Sequence, residues 1–110
     1  MLSNVQILSY NKLVRDRIPD IIQAEGNGCT VEILKDDEYL RMLDKKLDEE
    51  LAEYHGSQNL EELADLLEVI HAVVIARGYT LEDLERVRAE KADKRGAFRY
   101  KILLKDVFKE

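Results

Sequence analysis

The segment 63–76 constrains the fold of this 110-residue chain more than any other part of the sequence. It has helical periodicity, and its only strongly polar residues are Asp65, Glu68 and His71, so a helix here is apolar on nearly every side. Such a helix must be covered on most sides, and a chain of this length has too few other helices to surround it. We therefore predict a mainly α-helical bundle that is completed by a homodimer or by a dimer of dimers.

Capping residues and glycines predict where the helices begin and end. Asn59, followed three residues later by Glu62, is typical of a helix start, and Gly78 is placed to end that helix. Thr80 predicts the start of another helix in the same way, and Gly96 its end. These signals bound two consecutive helices in the second half of the chain.

The first half contains a short helix and a long one. Pro19 fits the first turn of the short helix, and Gly26 is placed to end it. Asp36 or Asp37 can cap the long helix, which carries an apolar stripe and should end near Gly56.

Two segments alternate between apolar and polar residues, which is the pattern of a half-buried strand. They are residues 30–34 and the tail 98–104. We predict that they pair as a small two-stranded accessory to the helices. The whole chain, residues 1–110, is expected to form one domain.

Composition excludes several classes of protein. The chain is 45% hydrophobic and 36% charged, which is too apolar for disorder. Its net charge of −6 disfavours nucleic-acid binding, and its single cysteine, Cys29, cannot form an intrachain disulfide. The N-terminus lacks the pattern of a signal peptide, and the longest apolar stretch, residues 69–76, is too short to span a bilayer. We expect a cytoplasmic protein with no nucleic-acid or membrane partner.

Four acidic residues are spaced as a candidate metal site. Glu50 and Glu53 lie three residues apart on one predicted helix, and Glu62 and Asp65 on the next. If the connection 55–59 is tight, the helices run antiparallel, Glu53 faces Glu62, and Glu50 faces Asp65. Four desolvated carboxylates would repel one another, so a cation is expected among them. Carboxylates without His or Cys favour Mg²⁺, with Mn²⁺ as an alternative. The competing interpretation is that these are solvated helix-face acids, with Glu62 used as a cap.

Residues 46–53, KLDEELAE, are followed by residues 62–67, ELADLL. Together these segments resemble the EExxE…ExxD signature of a known family, the MazG-like all-α nucleotide pyrophosphohydrolases. Residues 10–19, YNKLVRDRIP, resemble the amino-terminal motif of the branch related to phosphoribosyl-ATP pyrophosphohydrolase. Residues 94–98, KRGAF, resemble the RGGF ending of that branch, with Ala97 in place of its second glycine.

The resemblance implies hydrolysis of a nucleotide between its α- and β-phosphates, which releases a monophosphate and pyrophosphate. It also implies an oligomeric helical bundle. Transferred to this chain, the Mg²⁺ ligands are Glu50, Glu53, Glu62 and Asp65, and Lys46 contacts substrate phosphate.

The expected attacking group is water, because the sequence contains neither a nucleophile paired with a base nor a phosphate-binding P-loop. The candidate catalytic carboxylates are Glu49, Glu50 and Glu53, with Glu49 or Glu53 as the base. Further side chains could offset the charge of the phosphates. They are Lys12, Arg15, Lys91, Lys94 and Arg95. The last three can equally be ordinary cations at a helix C-terminus.

Several functions remain open at this point. Within the enzyme class, the substrate could be a nucleoside triphosphate, phosphoribosyl-ATP or another nucleotide, because selectivity depends on pocket shape. Outside that class, the chain could be a non-catalytic helical dimerisation module whose acids bind a structural cation or a basic partner protein.

Overall fold

The computed structural model describes residues 5–109, and within them the chain forms helices and no β-strand. The four helices are α1 (Ile18–Ala24), α2 (Asp36–Ser57), α3 (Leu60–Ala76) and α4 (Leu81–Arg95). The predicted mainly α-helical fold is confirmed.

Local capping accounts for the start of α3 and of α4. The Asn59 side chain accepts a hydrogen bond from the backbone N–H of Glu62 at 3.0 Å. At α4, the Thr80 hydroxyl accepts from the Asp83 N–H at 3.0 Å, while the Asp83 carboxylate accepts from the Thr80 N–H at 2.9 Å. Gly78 adopts a φ of 90° just beyond the end of α3, a backbone conformation that favours glycine. Both predicted helix starts are therefore confirmed.

The prediction that an aspartate caps α2 is wrong. Asp36 is already the first helical residue, Lys35 occupies the capping position, and no side chain caps the helix. Both Asp36 and Asp37 instead lie in the first turn, where their negative charges stabilise the positive end of the helix dipole.

A two-residue connection folds α2 and α3 into an antiparallel hairpin, which is the main packing contact of the chain. Gln58 has a left-handed conformation, with φ 58°, and its N–H donates to the Tyr54 carbonyl at 2.6 Å. The midpoint of the hairpin lies between Gln58 and Asn59. The predicted pairing of Glu53 with Glu62 requires a midpoint one residue earlier. Because the connection is so short, the last turns of α2 lie beside the first turns of α3.

The predicted two-stranded accessory does not form. Residues 30–34 have no strand partner, and the tail is interrupted by a turn at 99–100 and by Lys101 with φ 58°. Ile33 in the first segment is 92% exposed and Ile102 in the second is 83% exposed. A two-stranded ribbon is marginal unless a hydrophobic face packs on another element, and neither segment provides such a face.

The helices do not enclose a core within the described chain. Leu43 is the only apolar residue of the described part that is buried, and Leu67 and Ile75 of α3 remain about half exposed. The accessible surface is 10679 Å², whereas a compact monomer of 12.8 kDa exposes about 6300 Å². The radius of gyration is 19.9 Å, against about 13 Å for a compact domain of this length. Among the described helices, none is long and apolar enough to cross a membrane.

Candidate metal centre

Three acidic side chains converge where the C-terminal half of α2 meets the first turns of α3. One carboxylate oxygen each from Glu50, Glu62 and Asp65 lies within 4.8 Å of the others. Glu50 comes from α2 and the other two from α3, so the antiparallel hairpin itself brings them together. This spacing would allow the three oxygens to share one metal ion.

Glu53, the fourth predicted ligand, lies outside this set. Its side chain is exposed, and it is close enough to Glu62 to raise the pKa of that carboxyl. The structure therefore shows a triad with Glu53 on its rim, where the sequence predicted a group of four.

Burial separates Glu50 from the other acids of α2. It is 7% exposed, and it is the only buried charged residue in the part of the chain that the structure describes. One of its oxygens, Oε1, lies 3.5 Å from the Lys46 ammonium. Its other oxygen, Oε2, and the Oε2 of Glu62 are buried without a hydrogen-bond partner among the described residues. Unpaired buried carboxylate oxygens are costly, and a cation that binds oxygen would satisfy both, so these residues fit a metal ion.

The environment raises the pKa of two of the three carboxyls. Burial raises the pKa of Glu50, and the charges of Glu53 and Asp65 add to the effect, while Lys46 opposes it. Burial also raises the pKa of Glu62, together with its hydrogen bond to Glu53 and repulsion from the neighbouring acids. Glu50 and Glu62 therefore retain protons at a higher pH than isolated glutamates do.

Two of the predicted substrate-binding cations lie at the triad. Arg15, in the segment before α1, places its Nη2 at 2.7 Å from Oδ1 of Asp65, and both side chains are about half exposed. Lys46 lies one turn before Glu50 and is also 3.5 Å from Glu49, the other candidate base. These contacts put positive charge on two sides of the acidic cluster.

The other predicted cations are not joined to the triad. In residues 5–109, no hydrogen bond or ion pair connects them to Glu50, Glu62 or Asp65. They are Lys12, Lys91, Lys94 and Arg95. Of these, Lys94 and Arg95 lie in the last turn of α4, where cations interact favourably with the helix dipole. For these four residues a role in substrate binding stays a prediction.

Glu68 and His71, two further polar residues of α3, lie outside the triad. They line a groove of about 280 Å³ between α2, α3 and the start of α4, with Tyr39, Ile75 and Leu81 among its other walls. Glu68 is therefore not a member of the cluster. His71 is half-buried among apolar residues, as expected of a core or interface histidine.

The contact between Arg15 and Asp65 was not predictable from the sequence. The two residues are 50 positions apart, and no local pattern links them. A second ion pair between distant residues, from Arg77 to Asp44 at 3.7 Å, ties the end of α3 to the first half of α2. Neither pair carries a signal in the sequence, because each depends on how separate segments pack.

Fold and site together define an all-helical protein with an acidic triad suited to a metal ion. The chain is similar to an uncharacterized protein of Mycolicibacterium smegmatis, with 57% identity over 46 residues. The matched segment covers 42% of this chain and 47% of that protein, so it spans about half the length of the relative. No family model matches the chain, and no solved structure matches it.

Proposed function

We propose that this protein is a Mg²⁺-dependent nucleotide pyrophosphohydrolase that cleaves between the α- and β-phosphates. The observation that carries the proposal is the pair of buried, unpaired oxygens on Glu50 and Glu62, which converge with Asp65 from two helices. Oxygen donors alone suit a hard cation, with Mg²⁺ first and Mn²⁺ as the alternative. The reaction itself comes from the resemblance of residues 46–53 and 62–67 to MazG-like enzymes. We place the reaction in the cytoplasm.

Glu53 is the better of the two candidate bases. Glu49 is paired with the Lys46 ammonium at 3.5 Å, whereas Glu53 has no cation partner within the described residues. Glu53 is also exposed at the rim of the triad, where it can accept a proton from an attacking water. The bound ion would supply charge neutralisation on the phosphoryl oxygens and make that water more acidic.

Lys46 and Arg15 are the chain's own groups for holding phosphate. Each lies beside an acid of the triad and keeps part of its side chain open to solvent, with exposures of 24% and 57%. A planar guanidinium binds two phosphate oxygens at once, while an ammonium acts as a point charge. Together they would orient the polyphosphate over the three carboxylates.

We propose a homodimer as the working unit, because α3 is not covered within one chain. Its exposed apolar residues include Leu63, Leu67 and Ile75, which recur along one side of the helix. The chain exposes about 4400 Å² more than a compact monomer of its mass, which exceeds the roughly 1000–2500 Å² that each partner of an obligate dimer buries. A second copy that packs its own hairpin on this side would complete a four-helix bundle.

Pyrophosphate release from a nucleotide panel tests the proposed reaction. The panel contains the common nucleoside triphosphates and phosphoribosyl-ATP, each with Mg²⁺ and with EDTA. Asp65→Asn should abolish release while far-UV circular dichroism stays unchanged, because it removes a triad oxygen charge from a half-exposed position. Asp48→Asn, an exposed acid of α2, removes the same charge away from the triad and should retain activity. Turnover that survives both EDTA and Asp65→Asn would contradict the mechanism.

The exposed surface of α3 also favours a second candidate, a non-catalytic dimerisation module. In that case the triad would bind a structural cation or a basic partner protein, and no member of the panel would be hydrolysed. A protein that dimerises and binds Mg²⁺ but releases no pyrophosphate would establish this alternative.

A further inference from the structure

Arg15 reaches the triad from a segment that is anchored next to α1. Its backbone carbonyl accepts a hydrogen bond from the Ile18 N–H at 3.0 Å, which ties the residue to the start of the helix. Its guanidinium extends from there to Asp65, with Nη2 at 2.7 Å from Oδ1. The backbone is therefore held while the side chain bridges two distant parts of the chain.

The chain's own cations neutralise only the edges of the triad. Lys46 contacts Oε1 of Glu50, and Arg15 contacts Oδ1 of Asp65. The buried Oε2 atoms of Glu50 and Glu62 receive neither cation. A divalent ion that bound these inner oxygens together with Asp65 would compete with the guanidinium for the same carboxylate.

We infer that Arg15 is an exchangeable counter-cation of Asp65. In the metal-free protein it balances Asp65, and binding of a divalent ion releases its guanidinium toward the phosphates of a nucleotide. The pair is suited to exchange, because both side chains are about half exposed and an exposed ion pair contributes little to stability. The inference rests on the proposed function for the nucleotide, and on the triad alone for the metal.

The inference predicts that removing Arg15 strengthens metal binding. Mn²⁺ titrations, followed by the electron paramagnetic resonance of the free ion, compare the wild type with Arg15→Ala and Arg15→Lys. Arg15→Ala should bind Mn²⁺ about two- to fivefold more tightly, the range expected for loss of a competing exposed ion pair. Arg15→Lys should fall between Arg15→Ala and the wild type, because a lysine keeps the charge but not the planar guanidinium.

Arg17→Ala is the matched control for this titration. It removes the same charge from the same segment, and Arg17 forms no ion pair in the described chain. Any general electrostatic attraction of Mn²⁺ changes equally in both variants. Arg15→Ala that binds Mn²⁺ no more tightly than Arg17→Ala would overturn the inference. Unchanged far-UV circular dichroism confirms that the variants fold.

Nucleotide binding provides the second measurement. With Mn²⁺ present, calorimetry with a non-hydrolysable α,β-methylene nucleoside triphosphate should show weaker binding to Arg15→Ala than to Arg17→Ala. Equal nucleotide affinities of the two variants would overturn the transfer of the guanidinium to phosphate.

Pyrophosphate release separates failure of this inference from failure of the proposed function. If the wild type hydrolyses nucleotides but the Mn²⁺ affinities of Arg15→Ala and Arg17→Ala coincide, the inference alone is overturned. If no nucleotide is hydrolysed but Arg15→Ala binds Mn²⁺ more tightly, the exchange at Asp65 is supported and the proposed reaction fails.

Discussion

The Lys46 ammonium lies 3.5 Å from Oε1 of Glu50, one helical turn away, and Glu50 is the only buried charged residue among those that the structure describes. Lys46 lowers the pKa of Glu50 against the larger, opposite effect of burial. The contact with Lys46 explains in part how α2 keeps a carboxylate at the hairpin interface.

Replacement of Lys46 by methionine should destabilise the metal-free protein. Loss of the ammonium leaves Oε1 of Glu50 without its cation, which costs about 1–3 kcal/mol for a buried acceptor. Urea denaturation at neutral pH in EDTA measures the change in the free energy of unfolding. Lys45→Met removes the same charge from an exposed position and should have a much smaller effect. Equal losses in the two variants would contradict the role given to the pair.

Glu50→Gln should stabilise the metal-free protein at neutral pH while weakening metal binding. The folded-state pKa of Glu50 is raised above its ordinary value of 4.5, so the folded state binds more protons than the unfolded state and stability falls as pH rises through that window. Glutamine does not ionise, so the variant avoids this loss of stability. The gain in folding stability over the wild type should therefore be absent below pH 4.5 and complete above the raised pKa of Glu50.

Thermal melts in EDTA, one set below pH 4.5 and one above the raised pKa of Glu50, measure the change in folding stability. In a domain of this size each kcal/mol shifts the melting temperature by about 4–8 °C. Glu32→Gln, at an exposed site outside the helices, is the control. A Glu50→Gln variant that melts at a lower temperature than the wild type at neutral pH would show that the charge of Glu50 does not destabilise the fold.

Metal affinity should increase with pH in the mildly acidic range. Protons held on Glu50 and Glu62 by their raised pKa values must leave before a divalent ion can bind their oxygens. The affinity should rise from about the ordinary glutamate value of 4.5 upward and level off once both groups are ionised. Mn²⁺ titrations at several pH values check this, and an affinity that is constant across the range would place the ion elsewhere.

Thr80→Ala should remove the capping box of α4. The lost cap is expected to cost about 1 kcal/mol, seen as reduced helicity in circular dichroism and a lower urea midpoint. The hydrogen bond from the Thr80 backbone N–H is the first cause of the lowered pKa of Asp83, so its contribution is present above the ordinary value of 3.8 and is lost as pH falls through the lowered pKa. Alanine keeps this N–H, so the difference between wild type and variant should depend little on pH. Thr30→Ala, in an exposed extended segment, should change neither quantity.

Ile75→Glu should disrupt the proposed homodimer. Ile75 is exposed on α3, and a charge there would be desolvated in a helix bundle formed with a second copy. Light scattering should give the mass of a dimer for the wild type and a lower mass for the variant. Ile33→Glu introduces the same change outside the helices and should leave the mass unaltered. A monomeric wild type would rule out the dimer.

The sequence by itself determined the helical fold and most of its boundaries. Asn59, Thr80 and Gly78 act through hydrogen bonds and dihedral angles within a few residues, so their effects can be predicted from the neighbouring sequence. The alternation of apolar and polar residues at 30–34 and 98–104 predicted two strands that do not form. A strand also needs a partner, and no local pattern supplies one. The convergence of Glu50 with Asp65 was predictable because it follows from a tight hairpin.

Only the tertiary structure decided which charges meet and which are buried. Burial of Glu50 and exposure of Glu53 depend on how α2 is turned against α3, and residues three positions apart can differ completely in this respect. The contact between Arg15 and Asp65 joins segments that are 50 residues apart, so it arises from packing rather than from spacing. Short-range hydrogen bonds can be inferred from neighbouring residues, whereas long-range electrostatics depend on distances that exist only after the chain has folded.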